Sequence, residues 1–276
     1  SQNTKFLGLV NKECIVSAGH LFKKLKINNK NLQILPLDSE HFSLNLNFYD
    51  HKITKYKYIY LTASGGPFFN KNLDFKKITF EDAVKHPKWK MGYKNSIDSA
   101  TMVNKCLEII EAHYLFSIPF NKLKILIHPE SLIHSIIEYK NYTSNMNYFY
   151  PDMHIPIYNF FQKNFKRINK SNKITQKFNL DLNSSINFHQ VNKQDFPIYK
   201  IFEEIDKSKP LNLIKFNVIN QYAVESFKQY RLSFQDIPNF INNAMKIKFI
   251  LPVNNIKNII KFHNKFNQYL INHYEK

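Results

Sequence analysis

The sequence predicts an α/β (α+β) chain that passes through an irregular stretch into a helical C-terminal region, and three observations carry that reading. Short apolar runs of strand length, at Leu32 to Leu37, Tyr56 to Ala63 and within Lys124 to Tyr139, alternate with segments of helical spacing. Residues 164–190 are rich in Asn, Lys and Ser and show little periodicity, as a linker does. Beyond them, Leu213 to Tyr230 and Ile256 to Tyr274 return to helical spacing, with Ile256, Ile259, Ile260, His263, Phe266 and Leu270 on one stripe. At 276 residues the chain is long enough for a sizeable core in one or two domains.

Taken in order, the apolar run Phe6 to Val10 leads into Asn11-Lys12-Glu13 and an apolar-periodic helix through Leu25. Leu32 to Leu37 reads as a buried strand ending at Asp38-Ser39-Glu40. In extended backbone alternate residues share a face, so Asp38 and Glu40 converge. Two close carboxylates repel unless a proton or cation intervenes, and all-oxygen ligands suit Mg²⁺ or Mn²⁺. Tyr56 to Ala63 is a second core strand running into Ser64-Gly65-Gly66-Pro67, where two Gly let the backbone turn its N–H groups toward an anion. Taken alone, both motifs are also ordinary turns. Phe75 to Lys85 is amphipathic and ends before His86-Pro87, because Pro disfavours helix in the residue before it.

The stretch from His86 to Glu108, HPKWKMGYKNSIDSATMVNKCLE, concentrates the chemistry. It holds the only Trp, at position 89, and then Asp98-Ser99, either of which can cap a helix whose first N–H groups suit a phosphate. On that helix Asn104 and Lys105 stand four and three residues before Glu108, so an amide, an ammonium and a carboxylate emerge together. By itself such a face is a solvated one on an amphipathic helix. Further on, Lys124 to Tyr139 reads strand, turn at His128-Pro129, then an apolar segment in which His134 sits among Ile and Leu as core histidines do.

Five blocks in order, Asn11-Lys12-Glu13, Asp38-Ser39-Glu40-His41, Ser64-Gly65-Gly66-Pro67-Phe68, the His86 to Glu108 stretch and Pro151-Asp152-Met153, resemble the 1-deoxy-D-xylulose 5-phosphate reductoisomerase family. The likeness is close from about residue 7 to residue 157 and thin afterwards. It implies a mixed sheet flanked by helices in a catalytic domain (38–163), preceded by the end of a cofactor-binding domain (1–37) and followed by a linker (164–190) and a small C-terminal helical bundle (191–276). It further implies metal ligands Asp38, Glu40 and Glu108, catalytic roles for Lys12, Glu40 and His86, and substrate contacts from Ser39, Ser64, Ser99, Asn104, Lys105, Glu108 and the lid residue Trp89. Met91 and Gly92 fall at the nicotinamide. The implied cofactors are NADPH and Mg²⁺ or Mn²⁺, the substrate is a sugar phosphate, and the assembly is a homodimer in a bacterial cytoplasm or a plastid-type organelle.

Three departures qualify the likeness. None of the five Gly forms a dinucleotide-binding fingerprint, so the chain is expected to be the catalytic and C-terminal portion of an enzyme whose NADPH-binding half is not in this chain or is supplied separately. Cys106 stands where the family has Gly and is expected to crowd the pocket. Asn217-Val218-Ile219-Asn220-Gln221 carries an amide where the family has an acid. Two alternative readings remain at this point, a non-catalytic sugar-phosphate and metal-binding remnant and a basic nucleic-acid-binding protein. The formal charge of +18 favours the last, but it comes from Lys scattered among Asn, and only Arg167 and Arg231 supply guanidinium groups; no nucleic-acid partner is expected. Two Cys argue against a disulfide framework, and no apolar run is long enough to span a bilayer, so no membrane partner is expected.

Overall fold

The computed structural model describes residues 5–22, 25, 29–50, 56–71, 73–86, 91–164 and 185–275. Two sheets organise the first half. Strands β1 (Phe6–Leu9) and β2 (Gln33–Pro36) pair in parallel, with Leu9 opposite Pro36. Five strands form the second sheet: β3 (Tyr56–Ala63), β4 (Leu123–Ile127), β5 (Ile133–Tyr139), β6 (Ser144–Tyr148) and β7 (His189–Gln190), in the order β6-β5-β3-β4-β7. Only β3 and β4 run parallel, and the other pairings are antiparallel. The sheet is therefore mixed, as expected.

This topology sets the register of the site. Strand β1 ends just before Asn11-Lys12, β2 just before Asp38, and β3 just before Ser64. The carboxyl ends of parallel strands are where α/β folds leave a crevice for ligands. The parallel pairing of β1 with β2 brings the Lys12 and Asp38 segments side by side although 26 residues separate them in sequence.

Ten helices occur among the described residues: α1 (Lys12–Ala18), α2 (Ser39–Asp50), α3 (Phe80–Ala83), α4 (Tyr93–Ala100), α5 (Val103–Phe116), α6 (His154–Asn164), α7 (Pro197–Glu204), α8 (Pro210–Lys228), α9 (Ile237–Lys246) and α10 (Ile256–Tyr274). Helix α5 is the centre. Val103, Cys106, Leu107 and Ile110 have no exposed surface, and its charged residues Lys105, Glu108 and Glu111 are buried too. A helix buried on all sides must be covered on all sides, and here the buried residues of β3, β4, α5, α8 and α10 join into one contiguous core. Each large aliphatic side chain so placed contributes about 1.5–3 kcal/mol.

Several elements differ from expectation for identifiable reasons. The helix after Asn11 stops at Ala18 and tightens into a 3₁₀ turn at Gly19–Leu21. A Cβ on Gly19 would lie 2.3 Å from the Tyr114 ring, so this glycine is needed for close approach. Phe75 to Lys85 divides into a 3₁₀ turn, Phe75–Lys77, and α3, because Thr79 and Asp82 build a capping box at the junction. Most of the linker, residues 165–184, lies outside the described residues, as do Trp89 and its neighbours Lys88 and Lys90. On α10 the buried stripe is Ile259, Phe262, Phe266 and Leu270, whereas Ile256 and Ile260 face outward. The expected stripe holds at Ile259, Phe266 and Leu270, and Phe262, three after Ile259 and four before Phe266, takes the buried place that the spacing gives to Ile260.

Candidate active site

The loops at the three strand ends and the start of α5 enclose a cavity of about 430 Å³. Its lining takes in Lys12, Asp38, Ser39, Glu40, Ser64, His86, Met91, Ser99, Asn104, Lys105 and Glu108. Gly92 is not on the lining; it caps the N-terminus of α4. Val10, Asn11, Glu13, Thr62, Asn95, Ser131, His134 and Met153 complete the wall. Most of these were not singled out as site residues, because a lone Thr, Asn or Ser carries no signal without its neighbours. His134, which reads as core, is buried in the wall, stacked on Phe149 with its Nε2 3.2 Å from the Phe149 carbonyl oxygen.

One half of the cavity is a charge cluster. Asp38, Glu40 and Glu108 each bring a carboxylate oxygen within 4.8 Å of the others. Lys105 Nζ donates to Glu40 and, at 2.7 Å, to Glu108. Lys12 Nζ lies 3.2 Å from Asp38 and 3.4 Å from Glu108, and donates to Asn104 Oδ1 at 2.8 Å. Ser39 Oγ donates to Glu40 at 2.7 Å. The one-sided grouping of Asn104, Lys105 and Glu108 read from helical spacing is present.

The route by which Asp38 and Glu40 meet is different from the extended one expected. Ser39 and Glu40 already belong to α2, and Asp38 accepts at its carbonyl from the Phe42 N–H at 2.8 Å, as the residue before a helix does. Convergence comes from a helix start, where a carboxylate is also favoured by the helix dipole.

Burial sets the electrostatics. It is the largest influence on Glu108 and, with Glu40 next to it, pushes that carboxyl up to about 7 in spite of Lys105 and Lys12. Burial also works to raise Asp38 and Glu40, but Lys12 in the first case and Lys105 in the second hold both below the usual carboxylate range. Conversely, burial works to lower the two lysines, and the surrounding carboxylates keep both raised. The cluster thus holds two firmly protonated ammonium groups beside one carboxylate that is reluctant to ionise without further positive charge. An oxygen-only triad with that deficit fits a hard divalent ion.

The other half is neutral. His86 Nε2 lies 3.0 Å from Ser64 Oγ and 3.1 Å from Ser99 Oγ, joining a hydroxyl just past the end of β3 to one on α4. Burial, followed by the charge of Lys105, lowers His86 to about 4, so it bonds as a neutral ring near pH 7. Gly65 and Gly66 both have positive φ, +85° and +72°, and the Gly66 N–H donates to Ser64 Oγ at 3.2 Å.

Asp98 and Ser99 do not cap the helix that carries Glu108. Both lie inside α4, and α5 begins at Val103 after Met102, which adopts the left-handed conformation and gives no side-chain cap. Asp98 is committed elsewhere, to Lys94 at 2.6 Å and Asn220 at 2.8 Å. Lys105, expected at the phosphate end, lies instead against Glu40 and Glu108.

Cys106 does not crowd the pocket. It points into the core with no exposed surface, on the side of α5 away from the cavity. Burial raises its thiol well above the ordinary value, whereas Cys14 is exposed. A soluble thiol reagent is therefore expected to label one cysteine in the folded chain and two after denaturation, read by intact mass. Rapid labelling of both in the folded chain would place Cys106 at the surface.

Known proteins resemble this chain over most of its length. A family model described as 1-deoxy-D-xylulose 5-phosphate reductoisomerase C-terminal domain matches residues 34–116, and one described as DXP reductoisomerase C-terminal domain matches residues 150–269. A 1-deoxy-D-xylulose 5-phosphate reductoisomerase of Ehrlichia canis is 39% identical over 94% of this chain and 67% of its own length; one of Clostridium tetani is 36% identical over 98% and 69%. An apicoplastic relative from Plasmodium falciparum is 36% identical, with the match covering 52% of its length. A solved DOX-P reductoisomerase with NADPH, fosmidomycin and magnesium superposes with a TM-score of 0.85 at 29% identity, over 97% of this chain and 69% of that one. The Zymomonas mobilis enzyme with NADPH gives 0.83 at 30% identity, over 98% and 69%. The chain thus spans about two thirds of the length of most of these proteins. It belongs to the 1-deoxy-D-xylulose 5-phosphate reductoisomerase family.

Proposed function

We propose that this chain carries the catalytic part of a reductoisomerase that converts 1-deoxy-D-xylulose 5-phosphate to 2-C-methyl-D-erythritol 4-phosphate in non-mevalonate isoprenoid precursor synthesis. The observation that carries the reading is one cavity with three convergent carboxylates at one end and a Ser-His-Ser cradle at the other. That layout suits a substrate with vicinal oxygens at one end and a phosphate at the other.

Asp38, Glu40 and Glu108 would hold Mg²⁺ or Mn²⁺. Such an ion, when bound, supplies Lewis acidity at the substrate's carbonyl and adjacent hydroxyl oxygens. Lys12 holds its proton firmly, so it acts as a cationic donor to a substrate oxygen, with Ser39 and Asn104 beside it. Ser64, Ser99, Asn104 and Lys105 are the residues for the phosphate, and neutral His86 positions the two serines. Trp89 is assigned to a lid, and Met91 and Gly92 to the nicotinamide of NADPH, which supplies the hydride; the cofactor's remaining contacts belong to an NADPH-binding domain. Domain limits at 37/38, 163/164 and 190/191, a homodimer, and a bacterial cytoplasm or a plastid-type organelle complete the proposal. Among the described residues no helix is long and apolar enough to cross a membrane.

Calorimetric titration of the chain with 1-deoxy-D-xylulose 5-phosphate tests this without requiring NADPH. Binding is expected with Mg²⁺ and is expected to weaken strongly when the metal is chelated; metal-independent binding, or none, would overturn the assignment. Because Glu108 must lose a proton near pH 7 to act as a ligand, Mg²⁺ affinity is expected to rise about tenfold between pH 6 and pH 8. A flat or falling profile would remove Glu108 from the ligand set.

A further inference from the structure

Helix α5 carries one acid that the proposed reaction does not use. Glu111 follows Glu108 by three residues and is wholly buried, yet neither of its carboxylate oxygens accepts a hydrogen bond. Facing it is His41 on α2, equally buried and stacked under Phe116. His41 Nε2 lies 2.9 Å from the Glu108 carbonyl oxygen. A carbonyl only accepts, so Nε2 carries a proton and donates it there. That leaves Nδ1 aimed between Glu111 Oε2 at 3.4 Å and Asp38 Oδ2 at 3.6 Å, with no hydrogen bond to either.

Buried polar atoms are nearly always satisfied; Asp38 Oδ2 has Lys12 Nζ at 3.2 Å, but His41 Nδ1 and both Glu111 oxygens are left over, and orphans facing one point call for a guest. Without an ion, the guest is a proton. Burial works to lower His41, but Glu111 and Asp38 raise it to about 9. A proton serves these spacings poorly, because charge-assisted N–H···O bonds are about 2.7–2.9 Å long. The observed separations instead match the edge of a four-coordinate shell, about 3.3–3.6 Å when metal–ligand bonds are about 2.0–2.2 Å.

We propose that Asp38, His41 and Glu111 form a second seat for a divalent cation, one of the zinc class. Their donor atoms lie within 4.8 Å of one another, as in the neighbouring triad. The two seats differ in chemistry: Asp38, Glu40 and Glu108 offer oxygen alone, while the imidazole of the second turns preference toward zinc-like ions. Asp38 belongs to both. With all four carboxylates ionised, Glu108 and Glu111 against the pull of burial, their charge exceeds that of Lys12 and Lys105 by two, enough for one dication. The seats therefore fill in competition, and an ion in the second takes Asp38 away from the first. This inference stands apart from the proposed reaction, since the second seat is argued from atoms that reaction leaves unused.

Co²⁺ serves as the probe, because four-coordinate sites with a nitrogen ligand give strong visible bands and six-coordinate oxygen sites give weak ones. Strong bands are expected in the unmodified chain and in Glu108→Gln, and their loss in Glu111→Gln. Saturating Zn²⁺ is expected to weaken Mg²⁺ binding at least tenfold more in the unmodified chain than in Glu111→Gln, where only direct competition at the oxygen triad remains. Weak bands in the unmodified chain, or strong bands that persist in Glu111→Gln and vanish in Glu108→Gln, would overturn the proposal. Anomalous scattering at the zinc edge from crystals of the unmodified chain decides it independently of any variant's folding. A peak among Asp38, His41 and Glu111 supports the seat; a peak only among Asp38, Glu40 and Glu108 refutes it.

Discussion

Glu108→Gln is expected to make the metal-free chain more stable at pH 8 while abolishing its response to Mg²⁺. The two effects have one cause. A carboxyl whose folded-state pKa is raised from 4.5 to about 7 gives stability that is fullest below the unfolded value and is lost as pH climbs through the folded one. At pH 8 the ionised side chain therefore costs on the order of 3 kcal/mol, which the isosteric amide removes. The melting temperature should rise by about 5–10 °C at pH 8 and by much less at pH 5. Mg²⁺ affinity should fall by about two to three powers of ten, the equivalent of about 3–5 kcal/mol for a missing charged partner in a buried cluster. Thermal melts with and without Mg²⁺ at both pH values read all of this. An unchanged Mg²⁺ affinity would remove Glu108 from the triad, and a melting temperature that drops at pH 8 would contradict the burial argument.

The second large effect is expected from Gly66→Ala. Gly66 sits at φ +72°, and a Cβ there would meet Ala100 Cα and the Ser99 carbonyl oxygen, each at 2.9 Å. Both are backbone atoms and cannot rotate aside. A left-handed non-glycine residue costs about 1–2 kcal/mol on its own, and the contact adds to it by driving the end of α4 away from the strand. Since Ser99 lies at that end, its link through His86 to Ser64 opens. A fall in melting temperature of about 4–8 °C is expected, with at least tenfold weaker binding of 1-deoxy-D-xylulose 5-phosphate in the calorimetric titration with Mg²⁺. Affinity retained at full strength would mean that the Ser64 loop and Ser99 do not act as one cradle.

The parts of this molecule that were legible in its sequence are those whose partners are near in the chain. Asn104, Lys105 and Glu108 share one side of a helix because helical geometry puts them there, and Ile256–Tyr274 forms a helix because its stripe extends over five turns. The meeting of Asp38 with Glu40 was legible as a fact but not as a geometry, since a strand end and a helix start both gather residues two apart. What stayed hidden depends on long-range placement. His41 and Glu111 are 70 positions apart and look like a solvated histidine and a surface acid until α2 is laid against α5. Strand β6 is hidden because Ser144–Tyr148 is a short, polar edge strand whose alternation is only Met146 and Tyr148 between asparagines. Helix α7 escaped because its eight residues are too few to show a period clearly. The direction of Cys106 depends on which side of α5 meets the core, and one extra side chain in a motif does not reveal that.

The left-handed Met102 between α4 and α5 has a bearing on which changes the segment can absorb. One residue gained or lost within Thr101 to Lys105 would turn everything downstream by about 100° about the helix axis, swinging the acid of position 108 into the apolar interior and bringing Leu107, after an insertion, or Ile109, after a deletion, into its place. Replacement of single side chains here can be graded; a change of length by one is all or nothing. In a library built on this scaffold, insertions and deletions within this elbow should be absent among survivors even where substitutions are plentiful.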